Sequence, residues 1–209
     1  MLMANQVDGI ISGSHNLGIE EYHQLTAPIV SFDIYLADNI PIVAADSYHG
    51  GELAAKYLVE HDVKHLAVIV DEDTSVSPTI NRIQGALDFL NKQKRDFEPL
   101  AIQHLDLEAT FPGNYDGVLA SNDVQALTIS NLYYQVGKQI NKDFFITGYD
   151  GSRLIRKVAP YLPTVIQPIS LLAQELIETL MKRIETPHEK IETKLVPVRS
   201  EERRVGKEC

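Results

Sequence analysis

The run Leu66–Val70, LAVIV, constrains this chain more than any other stretch. Every position is apolar, so neither face of an extended segment could turn to water. A strand of that kind belongs in a parallel sheet covered on both sides. Further apolar runs recur at 7–11, 28–32, 41–45, 100–105, 117–120, 144–148, 162–166 and 194–198. Between them, apolar residues fall at helical spacing. Leu53, Ala54, Tyr57 and Leu58 mark a helix over 50–60, and Gly85, Ala86, Phe89 and Leu90 one over about 79–93. Further helices are expected over 19–25 and over 124–136, the latter closed by Gly137. The longest amphipathic stripe is Leu171, Leu172, Leu176, Ile177, Leu180 and Ile184, which reads as a core-facing or dimer-facing surface. Alternating strands and helices of this size imply an α/β fold with parallel sheets.

Composition narrows the function classes. The 209 residues, 44% hydrophobic, suffice for one domain or two small ones. A net charge of -10 and a pI near 5.1 argue against a nucleic-acid-binding surface within this chain. No apolar run reaches the roughly 18 residues of a membrane span, and the start lacks the pattern of a signal peptide. A soluble cytoplasmic protein is expected. With Cys209 as the lone cysteine, disulfides and thiolate metal sites are excluded.

The stretch 115–126, YDGVLASNDVQA, reads as a buried strand, a polar turn and a helix. In open α/β sheets ligands sit at the carboxyl ends of strands, which is where Asn122 and Asp123 fall. Either residue could instead serve only to cap the helix. Asp33, Asp46 and Asp150 close three other strands in the same way. One such ending is ordinary turn chemistry; several together resemble a polar pocket. Carboxylates and amides bond hydroxyls, and an arginine fork supplies paired donors. Arg82 stands in the first turn of its helix, where a cation opposes the helix dipole unless a partner is near. A polyol or sugar suits this set.

No GxSxG, GxGxxG, GxxxxGK or HExxH pattern is present, so no catalytic residue, cofactor or metal site is expected. Asp71, Glu72 and Asp73 read as a solvated loop. His61 and His65 straddle a helix end and a strand start, which suits surface histidines better than a metal pair. Gly50 and Gly51, with no following lysine, make a weak phosphate cradle.

Taken in order, VDGII (7–11), PIVSFD (28–33), GGELAAKYL (50–58) with KHLAVI (64–69), RIQG (82–85), ASND (120–123), GYDGS (148–152) and TVIQP (164–168) resemble the effector-binding core of the LacI/GalR transcription repressors. The wording is most similar to the sucrose-operon repressors of low-GC Gram-positive bacteria. The resemblance implies a periplasmic-binding-protein-like type I fold, two αβα lobes with a sugar between them. One lobe would comprise 1–45 and 167–187, the other 46–166 and 188–198. It implies ligand-binding roles for Arg82, Asn122 and Asp150, with Asp33 approaching from the opposite lobe and Asp123 capping its helix. The partners implied are a small sugar effector, namely sucrose, fructose or a related sugar or sugar phosphate, and operator DNA reached only through a headpiece absent from this chain. A homodimer is implied for the full-length protein, and no enzyme activity. A sugar receptor of a transport system and an α/β sugar-processing enzyme are the alternative readings.

Three departures accompany the resemblance. Only six residues precede Val7, so the N-terminal lobe is expected to be incomplete. The strands near Leu100 and Val118 are joined by about a dozen residues, the shortest parallel crossover, which leaves any stacking role of Phe111 or Tyr115 in doubt. Residues 199–209, RSEERRVGKEC, match the translation of a common sequencing adapter and are expected to be a non-native tail that packs against nothing.

Overall fold

The computed structural model describes residues 7–13, 26–70, 79–187, 189 and 191–201. The helix expected over 19–25 and the acidic loop at 71–73 lie outside them. The described chain forms two compact units, 7–46 with 168–197 and 47–167 with 198–201.

The first unit carries a four-stranded, all-parallel sheet of β1 (Ile10–Ser12), β2 (Ile29–Phe32), β3 (Ile42–Ala45) and β9 (Lys194–Val196), in that order. The long amphipathic helix Ile169–Glu185, numbered α6 in chain order, lies on this sheet. It buries Leu172 and Leu176, while Leu171 and Ile177 of the expected stripe stay exposed. Gly9 admits Leu180 of α6 so closely that an added Cβ would stand 2.8 Å from its Cδ1.

The second unit holds α1 (Ser47–Glu60), β4 (Leu66–Val70), α2 (Thr79–Lys92), β5 (Glu98–Ala101), α3 (Leu107–Thr110), β6 (Gly117–Leu119), α4 (Asp123–Gln135), β7 (Phe145–Asp150), α5 (Arg153–Val158), β8 (Thr164–Ile166) and β10 (Arg199–Glu201). Its sheet runs β10-β8-β7-β6-β4-β5, parallel except for β10 against β8. LAVIV is its buried β4 and pairs on both sides, as its unbroken apolar character requires. The alternation along β7 shows which helix covers which face. Gly148 lies against Asp123 of α4, and the next residue, Tyr149, lies against Gly50 of α1. Gly137 closes α4 with φ 80, its N–H and that of Lys138 bonding to Tyr134 and Tyr133.

Several expectations do not hold. The final strand, expected in the second lobe, instead pairs as β9 with β3 of the first unit through Val43, Ala44 and Ala45, and only from Val198 does the chain return to the second unit. The expected strand over 100–105 ends at Ala101 and gives way to a 3-10 turn, Ile102–His104. The short crossover is completed by that turn and the one-turn helix α3, which Asp106 caps by accepting from the Ala109 N–H. Phe111 fills the core beneath them and its ring meets Tyr115 at 5.9 Å, so both are packing residues. Residues 199–201 are not a free tail. They pair as β10 with the edge of β8, because edge N–H and C=O groups accept any extended backbone; Val205 lies outside the described residues.

Candidate functional site

Arg82 and Asp150 meet in the second unit, at the carboxyl ends of β6 and β7, and Asn122 follows Ser121 after the first of these strands. Arg82 stands in the first turn of α2 and is only 7% exposed. A buried guanidinium needs compensation, and three groups supply it. One terminal nitrogen donates to the Ser121 carbonyl oxygen, at the end of β6. The guanidinium carbon lies 3.3 Å from the centroid of the Tyr149 ring. The other terminal nitrogen is 3.6 Å from an oxygen of Asp150. These contacts answer the helix-dipole problem read from the sequence. Burial pushes the Tyr149 phenol above its ordinary value, with the Arg82 cation opposing that shift.

Asp150 ends β7 with a left-handed backbone, φ 102. Alternation would send its side chain away from the Tyr149 face; the positive φ brings its carboxylate to the same guanidinium. Gln167 holds it from the next strand end, with Nε2 donating at 2.7 Å to Oδ1 and its backbone N–H donating to the Asp150 carbonyl. The Asp150 side chain remains 45% exposed. Its 3.6 Å separation from Arg82 is too long for a direct hydrogen bond, but a hydroxyl at about 2.8 Å from both would bridge them side-on.

The capping role expected of Asp123 falls to Asn122. Asn122 is the helix cap: its Oδ1 accepts from the Gln125 N–H at 2.9 Å, while Gln125 Oε1 accepts in return from the Ser121 N–H at 3.1 Å. Its Nδ2 is left to donate elsewhere. Asp123, 2% exposed, instead turns into the sheet. One oxygen accepts from the Gly151 N–H at 2.8 Å and the other from the Thr164 hydroxyl at 2.6 Å, so it ties the turn after β7 to β8. Desolvation pushes its carboxyl above the ordinary range, and those hydrogen bonds oppose the shift without cancelling it. Capping propensity alone does not distinguish the two residues.

Asp33 belongs to the first unit, also at a strand end and also left-handed, with φ 65. Its carboxylate accepts from the Ala45 N–H at 3.3 Å and its own N–H bonds the Val43 carbonyl. Sequence reading missed Tyr149 and Gln167. Both stand inside the motifs GYDGS and TVIQP, where only Asp150, beside Tyr149, draws attention as a charged strand end.

Parallel α/β sheets with polar side chains gathered at their strand ends define a small-molecule-binding fold. Residues 55–204 match the periplasmic binding protein-like domain, and the chain belongs to that family. It is similar to the sucrose operon repressors of Streptococcus mutans, at 39% identity over 88% of this chain and 59% of that protein, and of Pediococcus pentosaceus, at 39% over 93% and 62%. The chain therefore spans about three fifths of the length of the curated relatives it matches. A crystal structure of a periplasmic binding protein/LacI transcriptional regulator from Alkaliphilus metalliredigens complexed with D-xylulofuranose superposes with a TM-score of 0.85, at 28% identity over 96% of this chain and 78% of that one.

Proposed function

We propose that this chain is the sugar-sensing, effector-binding part of a LacI/GalR-type transcriptional repressor that acts in the cytoplasm as a homodimer and reaches operator DNA through a separate headpiece. The observation that carries this reading is the pairing of Arg82 with Asp150 beside the strand end that Asn122 follows. It offers cationic, anionic and neutral hydrogen-bonding groups in the combination that vicinal hydroxyls need. The effector is sucrose, fructose or a related sugar or sugar phosphate. Asp33 is the candidate hydroxyl ligand of the first unit. The sucrose operon repressors among its relatives favour this reading over a transport receptor or a sugar-processing enzyme.

Calorimetric titration with sucrose, D-fructose, D-ribose and the phosphate esters of sucrose and fructose tests it. One of these sugars is expected to bind, and Arg82→Ala or Asp150→Ala to weaken it by about 30-fold, the cost of a lost charge-assisted hydrogen bond. Binding of none, or unchanged affinity in both variants, rejects the assignment.

A further inference from the structure

We infer that Tyr149 is the positioning residue that holds Arg82 ready for ligand, through the electron-rich face of its ring. This rests on the sugar-binding reading of the Arg82 site. An arginine side chain has many rotamers, and a ligand that must first freeze one loses affinity. Here the freezing is done in advance. The guanidinium is stacked 3.3 Å from the Tyr149 centroid, close enough for the ring quadrupole to attract the cation in a desolvated setting. Its Nε is buried and has no hydrogen-bond partner among the described residues, so the ring is what lies beneath that part of the side chain. Ser121 and Asp150 engage the terminal nitrogens and leave the tilt of the plane to Tyr149.

Tyr149 is itself immobilised. It is 1% exposed, and its hydroxyl rests on Gly50, where an added Cβ would overlap it. Glycine at the start of α1 therefore makes room for the tyrosine that supports the arginine. The Gly50 and Gly51 pair, read from sequence as a weak phosphate cradle, serves packing. The positive φ of Asp150 completes the device by letting two consecutive residues of β7 address one guanidinium. An aliphatic side chain of similar size would fill the volume and supply no attractive face.

The test separates shape from ring electrons. In the full chain, Tyr149→Phe keeps the face, a ring-fluorinated phenylalanine at 149 keeps the shape but drains the face, and Tyr149→Leu removes it. The Arg82 Nε–H resonance, assigned by its disappearance in Arg82→Lys, needs no ligand. It is expected upfield in the parent and in Tyr149→Phe, and displaced downfield in Tyr149→Leu; a resonance that does not move overturns the inference. Affinity for D-fructose, or for whichever of sucrose and D-ribose binds the parent, is expected to be kept in Tyr149→Phe and to fall about tenfold on fluorination. Equal affinity across the ring series also overturns it. If no sugar binds the parent, the sugar reading fails, and the Nε–H resonance alone decides the role of Tyr149.

Discussion

Asp123 shows how one side chain can serve the site without facing ligand. Its carboxylate is buried between the Gly151 N–H and the Thr164 hydroxyl, so it fixes the turn that presents Asp150. Its folded pKa is raised, chiefly by desolvation. A carboxyl that binds its proton more tightly when folded makes stability fall as pH rises through the window from the ordinary carboxylate value to the raised one. Asp123→Asn keeps the shape and does not titrate. Chemical denaturation is therefore expected to show the stability of the parent, measured relative to Asp123→Asn, increasing as pH is lowered through that window. A difference that stays flat or shrinks on acidification would mean that Asp123 is well solvated or has a fixed cationic partner. At neutral pH, Asp123→Ala is expected to cost about 3 kcal/mol, because it leaves the Gly151 N–H and the Thr164 hydroxyl unpartnered in a buried setting.

At the scale of elements, the α1 and α2 pair holds Arg82 from behind. Gly51 of α1 lies against the backbone carbonyl of Arg82, and Gly85 of α2 lies against the carbonyl of Tyr48, so the two helices cross at near backbone contact. A methyl group at Gly51 would meet main chain, which has no rotamer with which to yield. Gly51→Ala is expected to lower stability by about 3 kcal/mol, a drop of roughly 6–12 °C in the unfolding midpoint, and, on the proposed reading, to weaken sugar binding as well because Arg82 moves with its helix. Retained affinity with lowered stability would separate the crossing from the site. The elements differ in how far sequence alone reveals them. LAVIV could be nothing but a buried strand, and α6 declared itself by periodicity over many turns. The short helices α3 and α5 have too few residues for any periodicity; Asp106 and Ser152 mark their starts, but the same residue types also serve in plain turns. The partner of β9 was illegible, because Lys194–Val196 would suit the edge of either sheet and only the path of the chain after α6 decides between them. Arg82, Asn122 and Asp150 draw attention in the sequence because each is polar at a strand or helix end. Tyr149 was not, since an aromatic residue in an apolar strand is normally core.

The described residues form two sheets, and among them the chain passes between the two units after Asp46, Gln167 and Pro197. Gln167 is the last residue of the second unit at one of these passages, and its side chain is bonded to Asp150. A ligand hydroxyl that engages Asp150 thus acts on a residue adjoining a passage between units. On the proposed reading, the sugar can change operator affinity only by the ratio of its affinities for the two states of the full-length protein. Linkage makes the effect reciprocal. For a full-length protein containing this chain, saturating operator DNA is expected to change the dissociation constant of the sugar by the same factor by which saturating sugar changes that of the operator. The direction separates the two kinds of regulation: an inducer binds more weakly in the presence of operator, and a co-repressor binds more tightly. Factors of about 5 to 150 correspond to the coupling energies usual for such proteins. A sugar that binds with the same affinity whether or not operator is present has no differential interaction with the two states, and that result would leave this chain a sugar-binding unit without a regulatory role.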